Sequence, residues 1–261
     1  MNPLFLGLMA TLCFLQGFFS FKPQNQWPKI TQNDLKEVYQ IIKEKYPQIA
    51  HTDKNSPLKD WLSTGCHKAI DLSTKATSIK GYEFALRYYL SGFHDPKLQL
   101  ITNDETTVKW PGFLVKEKDN ALVVATTAEN AQDENIPPSN AQLIACNGKD
   151  PEELLKANIE LYFGQNQDSK RLAPYLLVDL GNPYSEQITE CTFKTDNGLT
   201  TIPLTWKPIE TSKLVALIKN TCGNYAFSTP LLQTPISTAE NKAQLIVPLP
   251  ENRAQVVIPT A

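Results

Sequence analysis

Residues 138 to 151 read PSNAQLIACNGKDP and combine the signals of a loop, a strand, a turn and a helix. A buried strand is predicted at Leu143 to Cys146, where apolar residues follow one another without interruption. Asn147-Gly148 ends that strand as a turn pair. The next helix is predicted from Pro151 to about Phe163, because one face of that stretch is largely apolar. This face comprises Leu154, Leu155, Asn158, Ile159 and Tyr162.

Further strands are predicted on both sides of this stretch. The period of the sequence changes at Lys97, and short apolar runs follow at Leu98, Leu100, Phe113 to Val115 and Leu122 to Ala125. Ile188 to Lys194 and Thr200 to Trp206 are predicted to pair as a hairpin across Asp196-Asn197-Gly198. A short helix, Ser212 to Asn220, precedes a tail rich in Pro, Gln, Asn and Thr, for which no regular structure is predicted.

Three helices are predicted before the strands. Thr31 with Asp34 makes a capping-box start for the first amphipathic helix. Ser56-Pro57 and Ser78 are start signals for the second and third helices, and the third ends before Pro96. The predicted fold class is therefore α+β. A small helical domain over residues 31–96 precedes a β-rich domain over residues 97–208, and a largely irregular segment follows at 209–261.

An apolar stretch from Leu4 to Phe21 precedes the helical domain and is interrupted only by Thr11, Gln16 and Ser20. Its length fits a secretory signal peptide, which is predicted for residues 1–21, with a linker at 22–30. An uncleaved membrane anchor is the alternative, and only that alternative would make a membrane a partner. The chain is therefore predicted to be exported to a periplasmic or extracellular location.

Removal of a signal peptide would take Cys13 with it and leave four cysteines, Cys66, Cys146, Cys191 and Cys222. An even number in an exported chain permits two disulfides with three possible pairings, and buried free thiols are the alternative. We expect at least one disulfide. Cys191 to Cys222 is the preferred pair, because both residues flank the predicted hairpin and short helix.

Charge and motif content argue against several classes of function. The chain has 25 basic and 27 acidic residues, a net charge of −2 and no long basic run, so nucleic acid is not an expected partner. His51, His67 and His94 form no metal-ligand pattern, so neither a metal site nor a cofactor is predicted. The sequence also lacks a G-x-S-x-G nucleophile motif, a Walker A loop and a G-x-G-x-x-G loop.

The order of these elements resembles the amino-terminal half of the S41 (C-terminal-processing, tail-specific) serine peptidases, over about residues 31–207. Three stretches carry the resemblance: Gly92 to Leu100 (GFHDPKLQL), Trp110 to Phe113 (WPGF) and residues 138–151. The first is similar to an Asp-x-His-x-x-Leu signature that starts at Asp95. Lys97 stands where the family usually has His, and Ala141-Gln142 stands where Gly-Asp is common, so the resemblance is to a divergent member.

The resemblance implies that residues 97–208 form a PDZ-like domain after the helical domain. In such a domain, a peptide adds a strand to a sheet edge and backbone amides capture its carboxylate. The matching residues here are Gly112, Phe113, Leu114 and Val115, with the amides of Phe113 and Leu114 as donors and the helix from Pro151 as the groove wall. Peptide or protein C-termini are the implied partners.

No catalytic residue is predicted. Peptidases of this family use a Ser nucleophile and a neutral Lys, and only Ser228 and Lys242 have a suitable order in the expected catalytic part. That part, after Pro208, has Gly223 as its sole glycine and lacks a Gly-rich oxyanion turn. The hypothesis is a non-catalytic, exported peptide-binding module. The alternatives are the front part of a true S41 endopeptidase with a truncated or separately encoded catalytic domain, and a structural protein that binds no peptide.

Overall fold

The computed structural model describes residues 25–53, 56–95, 97–102, 108–127, 136–163, 169–222 and 244–259. The helices of the first part are α1 (Trp27–Lys45), α2 (Pro47–Ala50), α3 (Pro57–Ser73) and α4 (Ile79–Ser91). They are followed by β1 (Gln99–Thr102), β2 (Val108–Trp110), β3 (Phe113–Lys118), β4 (Ala121–Thr127) and β5 (Gln142–Cys146). Next come α5 (Pro151–Leu155), a π-helical turn (Lys156–Glu160), α6 (Leu161–Phe163) and a 3₁₀ segment (Ser169–Tyr175). The remaining elements are β6 (Glu190–Thr195), β7 (Gly198–Pro203), β8 (Lys207–Ile209), α7 (Thr211–Cys222), β9 (Gln244–Pro248) and β10 (Ala254–Pro259).

Several predicted features fall outside the described residues. They are the signal peptide at 1–21, Cys13, Pro96, Gly223 and the pair Ser228 and Lys242. Within the described ranges, no helix is both long enough and apolar enough to cross a membrane.

The predicted helix starts are confirmed for two helices and wrong for the first. Ser56 and Ser78 cap α3 and α4, because each hydroxyl accepts a hydrogen bond from the backbone amide three residues later. The distances are 3.2 Å for Ser56 and 3.4 Å for Ser78. Helix α1 begins at Trp27, inside the predicted linker, where the Asn25 side chain accepts from the Trp27 amide at 3.2 Å. Thr31 is not a cap, since its hydroxyl donates to the Trp27 carbonyl at 2.7 Å.

The predicted α+β fold is confirmed. The largest sheet is antiparallel, with strand order β3-β4-β5-β6-β7, and the hairpin predicted across residues 196–198 is its β6–β7 pair. The rings of Phe113 and Phe193 lie 5.7 Å apart, although β4 and β5 separate their strands. This sheet is therefore strongly curved, and its two ends enclose one apolar core.

The expectation of an irregular tail is wrong for residues 244–259. β9 and β10 form a second antiparallel sheet with β1, in the order β1-β10-β9. Ala254, Val256 and Ile258 alternate along β10 and are at most 1% exposed in the core of the helical part. This period-2 pattern is short, and prolines lie close on both sides of it, which explains why the tail is not predicted as strand.

A buried ion pair joins this second sheet to α1. The Asp34 carboxylate is fully buried and receives Nη2 and Nε of Arg253 at 2.9 and 3.1 Å. The Tyr82 hydroxyl donates to the same carboxylate at 2.9 Å. The hydrogen bond with Asp34 raises the pKa of Arg253, and burial followed by the Asp34 charge raises that of Tyr82. These groups therefore link residues 219 positions apart in the chain.

The expected disulfide is confirmed, but the preferred pairing is wrong. Cys191 bonds to Cys146, and these residues lie directly opposite each other on β6 and β5. The sequence favours Cys222 because Cys191 and Cys222 flank the predicted hairpin and short helix, whereas the strand register places Cys146 opposite Cys191. Cys66 is a free buried thiol, and burial raises its pKa, so it is an unreactive core residue.

Candidate functional site

The predicted peptide-binding residues lie on the strand at one edge of the large sheet. β3 is the terminal strand, and a two-residue turn with positive φ at Asp119 and Asn120 joins it to β4. Because Lys118 and Ala121 close that turn, backbone groups along β3 alternate between β4 and the outer edge. The alternation directs the backbone of Phe113 and Val115 outward. It directs the Leu114 backbone toward β4, beside the β-bulge that interrupts the β3–β4 register between Leu114 and Val115.

These residues are covered in the structure. The side chains of Phe113, Leu114 and Val115 are fully buried. Gly112 has φ +93°, a conformation that favours glycine, and a Cβ there would lie 3.2 Å from the end of the Ile136 side chain, which would have to shift slightly. The 3₁₀ segment packs against β3 and against α5. Residues 172–178, which we call the cover segment, are all buried.

The cover segment does not continue the sheet. Among the described residues, no backbone hydrogen bond outside the β3–β4 ladder involves Phe113 or Val115. A 3₁₀ segment cannot supply a ladder of strand bonds, since its own backbone is coiled. The outer edge of β3 is therefore covered by side-chain packing without being paired as a strand.

The predicted helix from Pro151 to Phe163 is confirmed, with one departure. Asp150 caps its start by accepting from the amides of Glu152 and Glu153 at 2.8 and 3.3 Å. The middle of the helix is the π-helical turn, which the sequence pattern does not predict. A π turn holds one extra residue and so rotates the side chains around it.

A cavity of about 440 Å³ lies beside this π turn and was missed by the sequence analysis. Its lining comes from α4, the π turn, Lys109 and mainly residues 176–187, for which no element is predicted. Ile188 and Trp206, at the two outer ends of the predicted hairpin, complete it. Its lining includes Phe84, Asn158, Ile159, Val178, Asp179 and Trp206. The run Leu176 to Leu180 is the sequence signal that could have drawn attention to a buried segment here.

Asn147 organises the loop at one end of the cavity. It has φ +48°, and the oxygen of its side chain accepts from the Thr189 backbone amide at 2.9 Å and the Glu190 backbone amide at 3.3 Å. The nitrogen of its side chain donates to the Glu186 carboxylate at 3.0 Å, and Lys149 also binds that carboxylate. Hydrogen bonding by Lys149 and then by Asn147 lowers the pKa of Glu186. The predicted turn residue is thus also a hydrogen-bonding centre.

Replacing Asn147 with Ala should lower the free energy of unfolding by about 1–3 kcal/mol, because Ala disfavours positive φ and removes these bonds. Asn140→Ala is the matched control, since Asn140 has φ +64° and its side chain makes a single bond to the described residues, with Lys118. Urea unfolding of both variants checks this. Equal losses would mean that the side-chain bonds of Asn147 contribute nothing.

The stretch similar to the Asp-x-His-x-x-Leu signature, which starts at Asp95, has a structural role in this chain. The Asp95 carboxylate accepts from the Tyr46 hydroxyl at 2.8 Å and the Lys97 amide at 2.9 Å. Burial and then the bond with Asp95 raise the pKa of Tyr46.

Ser56 and Lys59 have the spacing of a serine–lysine pair, but the Ser56 hydroxyl caps α3. Within the described ranges, no three His, Cys, Asp or Glu residues cluster as metal ligands.

No protein-family model and no curated protein matches the chain in sequence. Solved structures of the S41-like protein CPAF do match it in fold. A serine-to-alanine mutant of CPAF has a TM-score of 0.54 at 14% identity, with 70% of this chain and 34% of that chain covered. Mature CPAF has a TM-score of 0.53 at 11% identity, covering 70% and 35%.

The chain thus spans about a third of the length of the solved structures it matches. A third structure, mature CPAF complexed with lactacystin, has a TM-score of 0.54 at 13% identity. At identities of 11–14%, the similarity is one of fold alone. The resemblance to S41 peptidases that the sequence predicts is confirmed at that level.

Proposed function

We propose that this chain, with its S41-like fold, is an exported, non-catalytic protein that binds peptide or protein C-termini. The disulfide between Cys146 and Cys191 supports export, because disulfides persist mainly in oxidising compartments. The apolar stretch at residues 4–21 supports a signal peptide for the same route.

The outer edge of β3 carries the proposal for peptide binding. Strand addition uses main-chain groups, and those of Phe113 and Val115 face outward with no described strand partner. Gly112 brings the backbone into a left-handed turn just before the strand, where a peptide carboxylate could meet the Phe113 amide. Since the side chains of Phe113 and Val115 are buried, the peptide would be bound chiefly through its backbone.

The cover segment sets a condition on this function. Because the 3₁₀ segment packs against β3, a peptide must displace part of it before pairing. Binding that requires a conformational change is slower than rigid docking. The proposal therefore includes an association rate constant below about 10⁵ M⁻¹s⁻¹.

The test is a titration of an apolar peptide with a free C-terminus, beside the same peptide with a blocking amide. We expect the free form to bind at least about tenfold tighter, as for a charge-assisted bond. Val115→Pro should weaken binding by about fivefold or more, because it removes the outward amide. Val115→Ala is the matched control, since it also shortens the side chain but keeps that amide.

Three outcomes would contradict the proposal. Equal affinity for blocked and free peptides would exclude carboxylate capture. Equal affinity of Val115→Pro and Val115→Ala, with both shown to be folded by circular dichroism, would exclude strand addition at β3. Casein turnover that disappears on Ser228→Ala would overturn the non-catalytic assignment and favour the peptidase alternative.

A further inference from the structure

We propose that the cavity beside the π turn is a second binding site, which takes an uncharged apolar side chain with an adjoining amide, as found within a peptide segment. Its volume of about 440 Å³ lies in the usual range for ligand sites, about 300–1,000 Å³. It lies where the helical and strand-rich parts meet, because α4 contributes Phe84 to its lining and other residues to the helical core. Such junctions are frequent positions of binding sites.

The cavity lining is mixed, with more polar than apolar surface, and its apolar part comes from a few well-packed side chains. Phe84, Ile159, Val178 and Ile188 line it and are at most 5% exposed, and the ring of Trp206 forms part of its wall. The Trp206 indole donates to the Ile188 carbonyl at 2.9 Å, which fixes the ring and satisfies its only donor. A fixed aromatic and aliphatic surface favours an apolar side chain.

The polar groups at the cavity suit a neutral amide. Asn182 is fixed, since it accepts from the Tyr184 amide at 3.0 Å and donates to the Ser185 hydroxyl. Asn158 is held only weakly: among the described residues, its side chain makes a single bond of 3.5 Å, to the Glu186 carbonyl. The Asn158 carboxamide therefore retains donor and acceptor capacity for a ligand amide.

The charges at the cavity are balanced. Glu186 is bound by Lys149, and the Asp179 carboxylate accepts from the Gly181 amide at 2.8 Å. Lys109 and Asp179 exchange backbone bonds of 3.1 and 2.8 Å, and their side chains carry opposite charges. Together with Glu186 and its partner Lys149, these groups have as many positive as negative charges, so an ionic ligand gains little net attraction here.

The π turn offers a second, independent observation. It spans Lys156–Glu160, and the cavity-lining residues Asn158 and Ile159 both lie within it. Single π turns inside α-helices are rare and occur frequently at functional sites. Here the π turn contributes one polar residue, Asn158, and one apolar residue, Ile159, to the cavity lining.

The experiment titrates the full chain with N-acetyl-leucine amide, N-acetyl-leucine and leucine amide, which are neutral, anionic and cationic. Trp206 fluorescence reports occupancy, and Trp206→Phe identifies its share of the signal. We expect saturable binding of the neutral probe, at least about tenfold tighter than either charged probe. Asn158→Ala should weaken it about fivefold, whereas Asn197→Ala, in the β6–β7 turn, should leave it unchanged.

A second variant completes the test. Val178→Phe should reduce binding at least tenfold by filling the cavity. Absence of saturable binding in the wild type, equal affinity for the three probes, or no effect of Asn158→Ala would each overturn the site. Failure here leaves the β3 titration unaffected, and the reverse also holds.

Discussion

Replacing Asp34 with Ala should lower the free energy of unfolding by about 3–5 kcal/mol, because it leaves a largely buried cation without its partner. The Arg253 side chain is 16% exposed and the Asp34 side chain is fully buried, so water cannot replace the lost carboxylate easily. Tyr82 would also lose the acceptor of its hydroxyl. Urea unfolding monitored by circular dichroism measures the change.

Glu251→Gln is the matched control for this variant. Glu251 contacts the same guanidinium through Arg253 Nη1 at 2.7 Å, but its side chain is 83% exposed. Exposed ion pairs contribute about 0–1 kcal/mol, so a small loss is expected. Tyr82→Phe, which removes one buried hydroxyl, should cost about 1 kcal/mol. A loss in Asp34→Ala no larger than that in Glu251→Gln would contradict the assignment of a buried structural ion pair.

Reducing the disulfide should lower the free energy of unfolding by about 2–4 kcal/mol. Cys146 and Cys191 are separated by 45 positions, so the bond restricts a long loop of the unfolded chain. Urea unfolding with and without a reductant measures this effect. The change should shift the midpoint and leave most of the folded state intact, since β5 and β6 also pair through backbone bonds.

The control for the disulfide is the double variant Cys146→Ala, Cys191→Ala. Its unfolding should be unaffected by reductant and should resemble that of the reduced wild type. A reductant effect that persists in the double variant would assign the stabilisation to another bond. Identical midpoints for oxidised and reduced wild type would contradict the prediction.

The features that the sequence predicts correctly are set by neighbouring residues. Ser56 and Ser78 begin helices because a hydroxyl accepts from an amide three residues on, which is a local bond. The hairpin turn at residues 196–198 is correct for the same reason, since its residue types favour the required backbone. The S41-like order of elements is a sum of such local signals.

The features that the sequence does not predict depend on distant residues. Cys191 meets Cys146 because β5 and β6 pair in one register, and nothing near either cysteine specifies it. The β3–β4 register likewise decides that the backbone groups of Val115 face the outer edge of the sheet and those of Leu114 face β4. The cavity lies where the helical and strand-rich parts meet, and the cover segment is buried by packing on β3 and α5, so composition alone does not reveal either feature.

The pairing of β10 with β1 has a consequence for the order in which the chain can fold. The core of α1, α3 and α4 includes Val256 and Ile258, which are synthesised long after those helices. Contacts between such distant residues must close large loops, and folding slows as contact order rises. We therefore expect the helices to remain incompletely packed on a growing chain until residues 254–259 have emerged. The helical part would then reach its native state only after synthesis has passed the strand that closes it.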